Sequence, residues 1–382
     1  MTAKAALASG TGPRVALLFA AMFGANAAGA YMPLWFADRG LSPEAIGQIL
    51  GAASLFRVIA GPGWGTVADR LGRRRPVMVV AAGAAAAMSL AYIQARGFAV
   101  LLMVAAMQGM ASSAIGPLVD SLALALSREE KMEYGPVRAW GSASFMVMTA
   151  ATGSAMSLLG SWIAPWLQAA GYGLAALAAS LVPEAAAAPA RAHALGGLDL
   201  FRLRPFRHAV ACTALIQGSH AAFYGFAALY WRSQGIGDAA IGLLFAECIV
   251  AEILLFARGR RLIAYLGPAG LTTCAALACV ARWTAMAFAP PLPVLAVIQL
   301  LHAATFAMQH LSAMLILTRV VPPERAATAQ SLHSALGYGA PTGLAMLLSG
   351  WLYASHAGGV FLAMAGLAAV ALLLVGPLRR SS

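Results

Sequence analysis

The feature that most constrains this chain is a succession of apolar runs, each close to the length of a membrane crossing. A helix traversing the hydrocarbon of a bilayer needs about 20 predominantly apolar residues. Twelve such runs are legible, at 14–36, 45–68, 76–95, 98–126, 134–160, 162–182, 207–231, 239–257, 264–288, 293–318, 325–353 and 358–377. Several hold Gly and Pro, which bundled membrane helices tolerate because neighbours re-satisfy the freed backbone groups. Only 10% of the 382 residues are charged, against about a quarter in soluble domains. The reading is an all-α membrane protein lodged in the lipid bilayer. The small residues of "ALASG" precede the first run rather than follow it, so that run is expected to stay as an uncleaved insertion signal.

The formal charge of +12 invites a nucleic-acid reading, but its distribution argues for topology. With twelve spans, alternate connections share a side. Lys4, Arg14, "DRLGRRR", "REEK", the 183–206 linker, "RGRR", "RVVPPER" and the terminal "RR" fall on one side, while Arg39, Arg96 and Arg232 fall on the other. Lys and Arg are retained in cytoplasmic loops, so both termini are expected in the cytoplasm of a bacterial inner-membrane protein. No compact basic domain is present for a nucleic acid. The four cysteines, 212, 248, 274 and 279, lie within spans and lack metal-type spacing. They read as small buried residues, with no metal implied.

The long polar interruption, "PEAAAAPARAHALGGLDLFRLRP", divides the chain into 1–182, a linker at 183–206, and 207–382. Two six-helix halves about a cytoplasmic linker are the architecture in which solute sites form near the midplane between repeats.

The connection between spans 2 and 3, "GTVADRLGRRR", has the spacing of the loop signature of the major facilitator superfamily, carried here by Gly65, Asp69, Arg70, Gly72 and Arg73. A glycine permits close helix approach, an acid can cap a neighbouring helix N-terminus, and the arginines stay at the membrane face. This motif speaks to gating. The equivalent loop of the second half, "ARGRRLIAYLG", keeps the basic residues without the acid.

Charges inside the spans speak to the solute. Asp120 stands seven residues before the turn at "SREEKME", and Arg138 a few residues up the returning helix. The two are predicted at similar depth on adjacent antiparallel spans, roughly 10 Å above the turn for Asp120 at 1.5 Å per residue. Intramembrane charges face a partner or an aqueous cavity, so a structural salt bridge and a solute site both remain open. Gly109, Ser113, Gly116 and Asp120 recur at helical spacing as a small polar stripe suited to a cavity wall.

The phrases "GPLVDSLAL", "YGPVRAWGSASF", "SHAAFYGFAALYW", "LLHAATF", "ALGYG" and "SGWLY" resemble the phenylpropionate-transporter, lactose-permease-like and nucleoside-permease-like branch of the superfamily, across essentially the whole chain. The resemblance implies two pseudo-symmetric six-helix bundles. It also places Asp120 as a solute-binding acid, Arg138 as its basic neighbour and Phe145 as a stacking aromatic, with Glu247, Arg282 and His302 around a proton site. One departure stands out: Thr305 occupies the position of the branch's proton-carrying glutamate, and Tyr338 that of a lysine.

A substitute carrier must then be sought. Glu247 and Glu252 are five residues apart, about 140° around a helix, and cannot face the same way; Glu247 is favoured, with Asp120 and His302 as the other proton-coupling candidates. Gln217, His220, Tyr224 and Trp231 form one stripe on span 7, and His302, Thr305 and Gln309 share a face of span 10. Arg57 lies too deep in span 2 for easy snorkelling: it either pairs with an acid or meets an anionic solute. Asn26 and Trp140 complete the candidate lining.

The expected activity is secondary transport of a small organic solute with protons, by alternating access and as a monomer. The solute is read as an aromatic or other organic acid, with a sugar or nucleoside as the alternative; drug efflux and a non-transporting sensor are more distant ones. No phosphate-binding loop, nucleophile–base pair or H-E-x-x-H motif is present, so neither ATP, another cofactor nor enzymatic chemistry is expected.

Overall fold

The computed structural model describes residues 10–129, 131–184, 197–322 and 325–381. Lys4 and the middle of the expected linker, 185–196, lie outside them. Regular structure among the described residues is helical, and it falls into runs that match the predicted spans. Among the described residues, eight helices are long and apolar enough to cross a membrane, including Pro43–Leu71, Tyr134–Leu159 and Asp238–Arg258, and a shorter apolar helix covers Gly359–Leu373.

Every third span is broken. Span 1 is built from Thr11–Gly29 and Met32–Asp38, span 4 from Phe98–Ser112 and Ile115–Arg128, and span 7 from Arg204–Gly218 and Ala221–Ser233. Span 10 runs as Leu292–Gln299, a π-helical turn at Ala303–Met308, and Gln309–Val320. Span 11 carries a second π-helical turn at Ser334–Gly339. Interrupted membrane helices free backbone groups only where protein or water can satisfy them, and π-turns concentrate at functional positions. In span 9 the cause of the kink is visible in the sequence: Gly267 has φ 58°, open to glycine, and Pro268 follows it.

By internal contacts the chain divides into two compact units, one of Met1–Leu41, Ala52–Arg191 and Asp238–Leu243, the other of Ser42–Gly51, Ala192–Gly237 and Leu244–Ser382. The core of the first packs Val15, Leu18, Phe19 and Ala25 of span 1 against Ala81, Val119, Leu122, Tyr172 and Ala175. Lipid supplies no hydrophobic drive for helix association, so small residues that admit close backbones do this work. At Gly171 an added Cβ would stand 2.8 Å from Ala25 Cα. In the second unit the same device joins the start of span 2 to span 11, where a Cβ on Gly47 would lie 2.7 Å from Gly350 Cα.

The spans 2–3 loop corrects two expectations. Among the described residues, a Cβ on Gly65 would meet nothing within 4 Å, so Gly65 serves no close helix approach here. The carboxylate that caps span 3 is Glu184, from just past span 6, whose Oε1 accepts the Arg74 N–H at 2.7 Å and the Arg75 N–H at 3.3 Å. Asp69 contributes its backbone carbonyl to Gly72 N–H at 3.2 Å, and Gly72 takes φ 60° to turn the chain.

The linker's described end is docked. Leu200, in the short 3-10 turn Leu198–Arg202, enters the second unit's core beside Phe206 and Val210. Its neighbour Asp199 forms a two-pronged ion pair with Arg325.

Candidate functional site

Each unit carries its own polar groups, some of them at the helix interruptions. In the second unit the centre is Arg282 of span 9, which is 0% exposed. Its Nη1 donates to His302 Nδ1 at 3.0 Å and to Thr305 Oγ1 at 3.2 Å. Its Nη2 donates to Gln299 Oε1 at 2.7 Å and approaches Cys248 Sγ at 3.6 Å. The guanidinium also lies over the rings of Phe223 and Trp283, at 4.4 and 4.7 Å. A buried cation is tolerable only with such compensation.

These contacts set the tautomers. A guanidinium only donates, so His302 Nδ1 accepts and the neutral ring carries its hydrogen on Nε2. That nitrogen faces Glu252 Oε2 at 3.8 Å. On His220, Nδ1 meets the Ile216 carbonyl at 2.9 Å and so carries the hydrogen, leaving Nε2 to accept from Thr305 Oγ1 at 3.1 Å. The result is a directed series, from Arg282 through His302 to Glu252 and from Arg282 through Thr305 to His220. His220 opens the second half of span 7, and Thr305 lies in the π-turn of span 10.

Other span 7 and 10 candidates extend this seam. Gln217 Nε2 donates to the Phe306 carbonyl at 3.2 Å. Gln309 Nε2 donates to Thr213 Oγ1 at 2.9 Å, which also meets His333 Nε2 at 3.1 Å. Tyr338 is bonded to His310 Nδ1 at 3.0 Å, and Tyr224 stacks on His220 with ring centroids 5.9 Å apart. Trp231 is buried against Phe223 and Phe245 and, among the described residues, joins the cluster only through the Phe223 ring. Glu247 is half-buried and has no hydrogen bond or ion pair among the described residues. The acid brought to the cluster is Glu252.

In the first unit Asp120 and Arg138 meet, with Nε 3.5 Å from Oδ1 and side chains 42% and 32% exposed. Tyr134 Oη donates to the same Oδ1 at 2.9 Å, and Arg138 lies over Phe23 and Phe19 at 4.4 and 5.3 Å. A second group surrounds the break in span 4. Arg57 Nη2 donates to Ser112 Oγ at 3.2 Å, and Tyr172 Oη donates to Asn26 Oδ1 at 2.9 Å. Trp140 is 61% exposed and Phe145 half-buried, neither joined to these groups by a ring contact or side-chain hydrogen bond. The stripe read on span 4 is not one wall. Gly109 packs tightly on Ala53 of span 2, whereas a Cβ on Gly116 would meet open space.

Sequence reasoning passed over Gln299, Cys248, Ser112, Thr213, His333 and Tyr134. Four had a signal: Gln299 precedes His302 by three residues, and Cys248, Thr213 and Tyr134 precede Glu252, Gln217 and Arg138 by four, each one helical turn away on the same face. For the others, which partner a side chain meets depends on another span.

Membrane-spanning helices with ionisable side chains brought together among them are the arrangement of a secondary transporter of small organic solutes. The MFS_1 like family matches residues 15–363, and the chain belongs to it, a multi-pass protein of the inner membrane. It is 30% identical over 355 residues to the "Probable 3-phenylpropionic acid transporter" of Escherichia coli (strain K12), covering 91% of this chain and 93% of that one. It is 29% identical to the maltose permease of Geobacillus stearothermophilus, over 82% and 79% of the two chains. Among solved structures, the nucleoside transporter NupG superposes with TM-score 0.82 at 17% identity over 97% and 99% of the chains. The D-xylose-proton symporter gives 0.71 at 15%, over 98% of each.

Proposed function

We propose that this protein carries an organic acid with an apolar or aromatic body across the inner membrane together with protons, by alternating access. The observation that carries the reading is the Arg282–His302–Glu252 group, in which one imidazole nitrogen accepts from the cation and the other stands 3.8 Å from a carboxylate inside a membrane-spanning unit. Its carboxylate end is the one place in the series where a proton can be added without first breaking a donor bond from Arg282. Glu252 therefore replaces Glu247 as the proposed proton carrier, with His302 positioning it. Support for the acid comes from the relative whose name specifies 3-phenylpropionic acid, and from the guanidinium groups of Arg138 and Arg282 over aromatic rings.

Asp120, Arg138 and Tyr134 form the proposed solute-contacting group of the first unit. Asn26, Arg57, Trp140, Phe145, Gln217, His220, Tyr224, Thr305 and Tyr338 are proposed to complete the lining, and the Gly65–Arg73 loop to act in gating. Termini in the cytoplasm and a monomeric transporter belong to the same reading; the basic residues of alternate connections support the orientation. A neutral sugar or nucleoside is the second reading, favoured by the half-exposed Asp120 with the Tyr134 hydroxyl beside it, a pair that suits hydroxyl-rich solutes.

The test is uptake of labelled 3-phenylpropanoate, maltose and uridine into proteoliposomes under an imposed pH gradient. Accumulation of the aromatic acid, abolished by a protonophore, supports the proposal. Accumulation of maltose or uridine alone supports the second reading, and binding without accumulation identifies a sensor.

A further inference from the structure

We propose that Arg57, oriented by Ser112, is the carboxylate anchor of this transporter and the residue that separates acids from neutral analogues. The inference rests on the organic-acid reading above and assigns its charge recognition to one side chain. It starts from how the three intramembrane guanidinium groups are compensated. Arg138 is already matched by Asp120 at 3.5 Å and flanked by Phe19 and Phe23. Arg282 is wholly buried and its two terminal nitrogens serve four acceptors. A solute carboxylate would have to share Arg138 with Asp120, and could reach Arg282 only by displacing its partners.

Arg57 is different. Its side chain is exposed, its recorded hydrogen bond is to the neutral Ser112 hydroxyl, and among the described residues no carboxylate lies within ion-pair distance. Tyr172 and Tyr92, on which its charge acts, are neutral as well. It is also the middle residue of the 29-residue helix Pro43–Leu71, so about 21 Å of helix separates it from either end. The hydrocarbon core is only about 30 Å thick, and a guanidinium at that depth cannot reach a lipid phosphate at the surface. A charge so placed faces a wet cavity and takes its counter-ion from there.

The surroundings fit a carboxylate. A guanidinium presents parallel donors that match both carboxylate oxygens. Ser112 accepts from Arg57 and sits at the last helical residue before the break in span 4, where membrane carriers place ion and solute contacts. Trp64, seven residues beyond Arg57 and on the same helix face, donates its indole N–H to the Met110 carbonyl of the same span at 2.8 Å. Its ring offers an apolar flank for an aromatic body.

Binding of labelled 3-phenylpropanoate and of its neutral amide to purified protein tests this, using wild type, Arg57→Gln, Arg57→Lys and Ser112→Ala. Wild type should prefer the acid. Arg57→Gln should lose at least about tenfold in affinity for the acid, the scale of a charge-assisted hydrogen bond, while its affinity for the amide stays within about twofold. Arg57→Lys should keep a reduced preference, since charge remains without the fork, and Ser112→Ala should weaken acid binding several-fold. Should Arg57→Gln fail to fold, loss of the acid preference without loss of amide binding in Ser112→Ala carries the test, and an unchanged preference there overturns the proposal. An Arg57→Gln protein that still separates acid from amide as wild type does also overturns it and leaves the organic-acid reading intact. Wild type that binds no carboxylate at all overturns both.

Discussion

Replacing Arg282 by methionine removes a buried cation while keeping an apolar side chain of similar length. Three strong acceptors, His302 Nδ1, Thr305 Oγ1 and Gln299 Oε1, lose their donor, and each unmet buried polar group costs about 1–3 kcal/mol. Thr305 and Gln299 can turn toward other partners, so the full sum is an upper bound. Two cation–π contacts, at 4.4 and 4.7 Å, add about 0.5–2 kcal/mol each. Against this, the desolvation penalty of the guanidinium disappears. Breaking one side of such a buried network costs about 3–5 kcal/mol in net terms, and that is the expected loss. The substitution also strands the Glu252 carboxylate beyond His302, so Arg282→Met with Glu252→Gln should be less destabilised than the sum of the single changes. Thermal or denaturant unfolding of the purified protein in detergent, followed by tryptophan fluorescence, gives both quantities. A loss below about 1 kcal/mol, or strict additivity with Glu252→Gln, refutes the claim that Arg282 organises the cluster.

Glu252→Gln should abolish accumulation driven by a pH gradient and leave counterflow exchange intact, whereas Glu247→Gln should keep both; one coupled proton supports about tenfold accumulation per pH unit, so the difference is readily measured. If Glu247→Gln is the uncoupled variant, the carrier is Glu247. Asp120→Asn should insert and fold yet accumulate no solute, because it leaves Arg138 without its charge partner; normal uptake removes Asp120 from the site. The Arg325 guanidinium beside Asp199 holds that carboxyl below its ordinary value. Since the folded value is the depressed one, linker docking gains from the pair above the ordinary carboxylate range and loses that gain as pH falls through the lower folded value. Amide exchange at Leu198–Leu203 should therefore stay slow from neutral pH to about pH 5 and rise only below about pH 4, after correction for the intrinsic rate. Asp199→Asn should exchange a few-fold faster at neutral pH and lack the rise at low pH.

The span lengths were legible because hydrocarbon imposes a length and a polarity on any helix that crosses it, and these constraints act on residues adjacent in sequence. The breaks were not. Spans 1, 4, 7 and 10 read as single runs of 14–36, 98–126, 207–231 and 293–318, and only the folded chain shows them interrupted near Ala30, Ser113, Ser219 and Leu301. Nothing in the composition of "ASSAIG" or "GSHAAF" forbids a continuous helix; the interruptions depend on neighbours that re-satisfy the backbone.

The site divides in the same way. Asp120 and Arg138 could be placed together from sequence because one short turn joins their helices, so counting residues fixes depth. Arg282, His302 and Glu252 come from spans 9, 10 and 8, and no local count says which of two acids, five residues apart, turns inward. Helical periodicity established that Glu247 and Glu252 face different ways; packing decided that Glu252 meets the imidazole. The sequence alone thus determined the medium, the spans and the presence of ionisable groups within them, since these follow from solvation and local helix geometry. Tertiary structure alone decided the partners of each charge, because a charge in a low-dielectric interior is compensated by whatever the facing helix brings within a few ångströms.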